Sequence, residues 1–219
     1  MIDSKTQIRW EGLNAIIMVV LCTLVFAILG WWWAALTGLV VTGLVLNFFR
    51  DPERVVPDET GVVVAPADGK IIKIEHMRDP FSGESRQTIC VFMNVFNVHV
   101  NRMPVSGTIK GIKYFPGKFI NASFDKASTD NERCAWQISD ENGDEWTMVQ
   151  IAGLVARRIV PLAEKGDQLS MGERYGLIKF GSRVDLYMPK GYDLVVDKGD
   201  KAFAGQTVLA KRIRGLRSN

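Results

Sequence analysis

From Gly12 to Phe49 the chain runs for 38 residues without a charged side chain, and this stretch constrains the whole arrangement. So long an apolar run belongs in lipid, where the backbone satisfies its own hydrogen bonds as helix. One span takes roughly 20 apolar residues. The stretch is therefore too long for one helix and long enough for two short ones, Asn14 to Leu29 and Ala34 to Phe49. Gly30 followed by Trp31, Trp32 and Trp33 suits a turn at the lipid–water interface, because indole rings favour the headgroup layer. Lys5 and Arg9 precede the block, and Arg50 and Arg54 follow it. Cations at both ends place both flanks on the cytoplasmic side, which two crossings satisfy and one does not. The expectation is an N-terminal membrane hairpin over residues 1–50, with residues 51–219 as a domain on the cytoplasmic face of the cell membrane. The apolar run is too long, and lacks the small-residue cleavage site, for a signal peptide. A re-entrant pair stays open, since each helix is slightly short of a mean bilayer core.

Outside this block the sequence is an ordinary charged mixture. Its 27 basic and 24 acidic side chains give a net charge of +3 over 219 residues, which argues against a polybasic nucleic-acid binder, and 47% apolar with 10% aromatic content argues against wholesale disorder. Cys22, Cys90 and Cys134 are widely spaced and odd in number, which fits no disulfide framework. Two histidines, His76 and His99, are too few for most zinc or iron sites, so no metal is expected. The phosphate-binding patterns G-x-x-x-x-G-K-S/T and G-x-G-x-x-G are missing, as is any C-x-x-C pair.

Residues 55–219 read as short runs of Val, Ile, Phe and Tyr punctuated by Gly, Pro, Asn and Asp, a strand-and-turn pattern. Strands are expected at Gly61–Ala65, Gly69–Glu75, Gln87–Phe92, Gly107–Tyr114, Cys134–Ser139, Glu145–Ile151, Tyr175–Phe180 and Arg183–Tyr187. Lys165-Gly166-Asp167, followed four residues later by Gly172-Glu173, recurs as Lys198-Gly199-Asp200 and Gly205-Gln206. Each copy would make a tight turn before a strand, as in compact barrels of the biotinyl or lipoyl type; two unrelated turns of common composition would look the same. The fold class expected is mainly β, a barrel-like or sandwich domain with lipoyl-like hammerhead turns, behind an α-helical hairpin.

Three polar groups sit in apolar settings. Asp68 lies in Ala65-Pro66-Ala67-Asp68-Gly69, His99 in Phe96-Asn97-Val98-His99-Val100-Asn101-Arg102, and Ser182 in Phe180-Gly181-Ser182-Arg183-Val184-Asp185. Each also has a structural reading: Asp-Gly as a favoured turn pair, His99 as a hydrogen-bonded core residue, Gly181-Ser182 as a bulge or turn. Spacing alone does not choose.

Taken together, these segments resemble the short form of the phosphatidylserine decarboxylase family from about Arg50 to Arg212. The resemblance is carried by Ala65 to Lys70, Asn97 to Arg102, Asn121-Ala122-Ser123 through Asp125 to Ser128, Asn131-Glu132-Arg133, Gln150 to Gly153, and Phe180 to Asp185. It implies a pyruvoyl enzyme that cuts itself at Gly181-Ser182, leaving a β chain of residues 1–181 and an α chain of residues 182–219. Ser182 Oγ would attack the Gly181 carbonyl, and β-elimination and loss of ammonia would turn Ser182 into the covalent pyruvoyl cofactor. The resemblance further implies that phosphatidylserine in the membrane forms a Schiff base with that group and leaves as phosphatidylethanolamine, the cofactor acting as electron sink. His99 would be the general acid/base, and Asp68 the orienting carboxylate or base for self-cleavage. The family's long forms carry a second histidine where this chain has Arg102, so the division of labour between His99 and Asp68 stays open. The two cleavage chains would remain together, and a higher oligomer is not excluded. Lys211, Arg212, Arg214 and Arg217 form a basic tail that would face either an anionic membrane surface or solvent. The competing reading is a membrane-anchored, lipoyl-like adaptor module whose Gly181-Ser182 bond stays intact.

Overall fold

The structure, a computed structural model, describes residues 7–154, 158–178 and 181–213. The chain divides into two compact units, Met1–Glu53 and Arg54–Asn219.

In the first unit, strand β1 (Gln7–Ile8) leads through a turn of 3-10 helix (Trp10–Gly12) into helix α1 (Leu13–Ile28). Helix α2 (Trp32–Phe48) returns to strand β2 (Arg50–Asp51), which pairs antiparallel with β1. Gly30 makes the reversal at φ 75°, a left-handed conformation open to glycine. Trp32 and Trp33, expected in the turn, open α2 instead. The helices lie close enough that a Cβ on Gly38 would come within 2.4 Å of Thr23 Oγ1. Thr23, Thr37 and Thr42 each turn their hydroxyl back onto the carbonyl four residues earlier, so these helices present almost no unsatisfied polar group. No residue of α1 is buried, although nearly all are apolar. Trp10–Ile28 is long and apolar enough to cross a membrane; α2 is shorter, at 17 residues.

The second unit is mainly β. In chain order it contains β3 (Val62–Val64), β4 (Gly69–Arg78), β5 (Ser85–Met93), β6 (Val100–Arg102), β7 (Gly107–Phe115), the single turn of helix α3 (Ala127–Asp130), β8 (Arg133–Asp140), β9 (Glu145–Ala152), β10 (Ile159–Pro161), β11 (Gln168–Leu169), β12 (Arg174–Ile178), β13 (Ser182–Tyr187), β14 (Tyr192–Leu194), β15 (Lys201–Ala202) and β16 (Val208–Arg212). Eight strands form one curled antiparallel sheet in the order β11-β7-β8-β9-β13-β5-β4-β15; the triplets β10-β12-β6 and β14-β16-β3 complete the unit. All eight expected strands are present to within a few residues, the last two residues of Tyr175–Phe180 lying outside the described residues. Ser182, read as part of a turn, instead opens a strand.

β13 lies in the middle of the large sheet, and all six of its residues are buried. Alternation sends Val184 and Leu186 into the main core with Met93, Trp136, Trp146 and Met148, while Tyr187 joins Ala127, Val149 and Ile151 on the opposite face. Arg183 also lies on that second face, bonded to Asp185 by Nε at 2.5 Å and Nη2 at 2.8 Å, with Cys90 Sγ 3.2 Å away.

The two Lys-Gly-Asp turns are structural equivalents. Gly166 donates to the Ile109 carbonyl and Ile109 to that of Asp167; Gly199 donates to the Ile71 carbonyl and Ile71 to that of Asp200. The strands they clasp are also equivalent. Pro66-Ala67-Asp68-Gly69-Lys70-Ile71 enters β4 as Pro104-Val105-Ser106-Gly107-Thr108-Ile109 enters β7, and each strand slips register after its isoleucine. Between the halves the bonding is reciprocal: Val64 N–H donates to Pro104 O, and Arg102 N–H to Pro66 O, both at 2.9 Å. Two copies of one small β unit therefore clasp each other about a pseudo-two-fold axis. Of the basic tail, Lys211 pairs with Glu59 at 2.8 Å and Arg212 with Asp144 at 3.3 Å; Arg214 and Arg217 lie outside the described residues.

Candidate active site

Strand register brings the key residues together. β13 pairs with β5 and β9 so that Ser182 sits between Met93 and Ala152, at the row where both neighbouring strands end. The segments entering Ser182 and leaving Met93 and Ala152 thus meet at one end of the sheet. His99 belongs to the segment that follows β5, and β6 then fixes it: Val100 pairs with Leu177, and the His99 carbonyl accepts the Ile178 N–H at 3.2 Å.

His99 is buried and its ring orientation is determined on both sides. Nδ1 lies 2.9 Å from the Asn97 carbonyl, which can only accept, so Nδ1 carries the proton. Nε2 is then an acceptor and takes the backbone N–H of Gly181 at 3.2 Å. The Gly181 N–H belongs to the peptide bond just ahead of Gly181-Ser182, so this contact sets a buried imidazole beside the segment that enters Ser182.

Gly181 and Gly153 are required for different reasons. Gly181 has φ 54°, in the left-handed region, and a Cβ there would meet nothing; its backbone conformation selects glycine. At Gly153 the constraint is contact, because a Cβ would stand 1.9 Å from the Gly181 carbonyl oxygen. That carbonyl, the one Ser182 would attack, is thus seated against a bare backbone. Asn131, fully buried, anchors this seat by donating to the Ala152 and Ile120 carbonyls, both at 2.7 Å.

Ser182 is also fully buried, its Oγ facing the thioether of Met93 at 3.9 Å. Asp68 lies across the pseudo-symmetric clasp: Oδ1 accepts the Ala204 N–H at 2.8 Å and Oδ2 the Arg54 guanidinium at 2.8 Å. Arg54 also donates to Gln206, so it ties Asp68 to the second Lys-Gly-Asp segment. The geometry therefore joins His99 to Gly181-Ser182 and gives Asp68 a cation that the sequence suggested only as a membrane flank. Arg102 braces the clasp, with Nη1 on the Gly172 carbonyl at 2.9 Å.

The phosphatidylserine decarboxylase family model matches residues 41–210. The chain belongs to the phosphatidylserine decarboxylase family. It is 58% identical over 210 residues to the phosphatidylserine decarboxylase proenzyme of Nitratidesulfovibrio vulgaris, spanning 96% of this chain and 97% of that one. The proenzymes of Oleidesulfovibrio alaskensis and Nitrosomonas eutropha are 58% and 50% identical over 202 residues, 92% of this chain in each case and 93% and 92% of theirs. Three of the segments by which the sequence resembles phosphatidylserine decarboxylases hold residues whose contacts it did not disclose: Gly153 against the Gly181 carbonyl, Asn131 beneath Ala152, and the buried amides of Asn101 and Gln150. Each of these contacts joins residues distant in sequence, and the motif strings alone carry no sign of it.

Proposed function

We propose that this protein cuts itself between Gly181 and Ser182 and, carrying the resulting pyruvoyl group, decarboxylates phosphatidylserine to phosphatidylethanolamine at the cell membrane. The observation that carries the reading is the contact of His99 Nε2 with the Gly181 N–H, beside a carbonyl held against Gly153. The names of the relatives, all proenzymes, support it.

A serine hydroxyl is a poor nucleophile until a base takes its proton, and His99 would take it by exchanging the Gly181 N–H at Nε2 for the Ser182 hydroxyl. Asp68 supplies the carboxylate of self-cleavage, as orienting group or base, its buried charge offset by Arg54. The residues fit the cofactor they would generate, since a left-handed glycine and a bare backbone seat leave the Gly181 carbonyl open to attack. When formed, the pyruvoyl group would supply an electrophilic carbonyl for the lipid's amine and, through the resulting imine, an electron sink for the loss of carbon dioxide. His99 would return a proton to the substrate carbon.

Strand pairing explains why the cut would not separate the chains. Residues 182–219 contribute β13, bonded on both sides by strands of residues 1–181, and β16, paired with β3. Exposed Val95, Phe96, Phe124 and Leu154 occur in the segments that leave this end of the sheet, where a lipid headgroup would approach. Residues 1–50 act as the membrane anchor, a role supported by the unburied apolar faces of α1 and α2.

Intact-mass spectrometry under denaturing conditions tests the proposal. The expected result is a large chain ending at Gly181 and a small chain headed by pyruvoyl in place of Ser182; the Ser182→Ala protein should stay whole and inactive. A folded wild-type chain that remains unbroken would instead support the adaptor reading.

A further inference from the structure

A second chain of buried polar groups approaches Ser182 through Met93. It starts at the Trp136 indole, whose N–H can only donate. Trp136 Nε1 gives its proton to Gln150 Oε1 at 2.8 Å, which fixes the Gln150 amide so that Nε2 points onward. Gln150 Nε2 donates to Asn101 Oδ1 at 2.7 Å, which in turn fixes Asn101 with Nδ2 outward. Gly176 makes room for this arrangement, since a Cβ there would lie 2.8 Å from Gln150 Nε2. The chain ends with Asn101 Nδ2 facing Met93 Sδ at 3.7 Å, the same sulfur that faces Ser182 Oγ at 3.9 Å. All of these side chains are fully buried.

The ending is chemically odd. A thioether is a weak acceptor, yet two strong donors converge on it while every other link in the chain is a short, well-matched bond. The mismatch disappears once Oγ has attacked the Gly181 carbonyl, because the oxygen has then lost its proton and can only accept. We infer that Asn101 is a catalytic residue of self-cleavage, its Nδ2–H donating to the Ser182 oxygen as that oxygen becomes the leaving group. The inference rests on the self-cleavage reading. In the elimination step a base takes the Cα proton of residue 182, the Cα–H pair forms the Cα=Cβ bond, and the Cβ–Oγ bond breaks with its electrons on oxygen. The products are dehydroalanine at position 182 and a carboxylate on Gly181 that now holds Oγ. A fixed N–H aimed at an oxygen gaining negative charge stabilises that step. Trp136 and Gln150 are positioning residues, acting through the orientation of the Asn101 amide.

The experiment follows precursor decay in the full-length wild type, Asn101→Leu and Gln150→Glu by intact mass, with and without hydroxylamine, which splits esters. Glutamate at 150 still accepts from Trp136 but offers a second acceptor to Asn101, so the Asn101 amide turns over and presents Oδ1 to Ser182. Both variants should lose precursor about 10²-fold more slowly than wild type, the scale of one deleted oxyanion donor. In both, hydroxylamine should divide the retained precursor into a Gly181 hydroxamate and a small chain headed by intact Ser182. Wild-type rates in Asn101→Leu overturn the inference alone, as does a folded, uncut Asn101→Leu precursor that hydroxylamine leaves whole. Should Asn101→Leu fail to fold, Gln150→Glu decides, and normal cutting by it overturns the inference. An unbroken wild-type chain overturns the self-cleavage reading and this inference with it.

Discussion

At the turn into β4, Asp68 accepts the Ala204 N–H at 2.8 Å; at the matching turn into β7, Ser106 accepts the Met171 N–H at 2.9 Å. Ala204 and Met171 precede Gly205 and Gly172, the equivalent glycines of the two Lys-Gly-Asp segments. The backbone frame therefore asks for one acceptor at this place, and a serine hydroxyl meets the demand. The carboxylate at 68 is more than the frame needs. It is buried, and a buried charge is costly unless paired, which is why the Asp68 half alone shows a pairing such as that with Arg54 among the described contacts. A group that the fold must compensate, in one half of a duplicated frame, next to the segment that carries His99, supports the role proposed for Asp68 in self-cleavage.

The strongest way to break that contrast is to make the halves alike. Asp68→Ser keeps the acceptor for Ala204 and removes the charge, and Arg54 keeps its bond to Gln206. The protein should therefore still fold, at a cost of about 2 kcal/mol for the broken pair, while precursor decay slows about 10³-fold, within the range of general acid–base effects. Cutting at the wild-type rate would return Asp68 to a purely structural role. A smaller effect comes from leaving the charge and removing its cation. Arg54→Met should lower stability at pH 7 by about 2 kcal/mol, less than for a fully buried pair because Arg54 keeps some exposure. Urea unfolding at pH 7 reads it, and an unchanged stability would show that Arg54 does not compensate the buried carboxylate.

Much of the frame was legible because runs of β-branched and aromatic residues bounded by Gly, Pro, Asn and Asp mark strands such as β5, β8 and β9. Strands β6, β11 and β15 escaped because two or three residues make no pattern, and β6 is the strand that sets His99 against β12. The Lys-Gly-Asp echo exposed one arm of the duplication; the other arm was hidden because Asp68 and Lys70 face Ser106 and Thr108, a change of chemistry on an unchanged backbone. Ser182 read as a turn because Gly181 does leave the extended region, but the reversal ends there and the sheet claims the next residue. Asp68, His99, Gly181 and Ser182 were all visible as candidates. Arg54, Gly153, Asn101 and Gln150 were not, since their meaning lies in contacts between residues distant in sequence: Arg54 with Asp68 and Gln206, Gly153 with Gly181, and Asn101 on β6 with Gln150 on β9.

The smallest expected effect tests the other half of the contrast. Ser106→Ala deletes the acceptor for Met171 while leaving the Asp68 half, His99 and Ser182 untouched. The Met171 amide is left without that partner at a half-buried turn, so stability should fall by about 1 kcal/mol, the usual net worth of one hydrogen bond. Precursor decay should stay at the wild-type rate. Ser106→Thr should restore stability, because it returns the hydroxyl. If Ser106→Ala instead slowed self-cleavage as strongly as Asp68→Ser, the two turns would act on the reaction through the shared clasp, and the carboxylate would lose its claim to a distinct role.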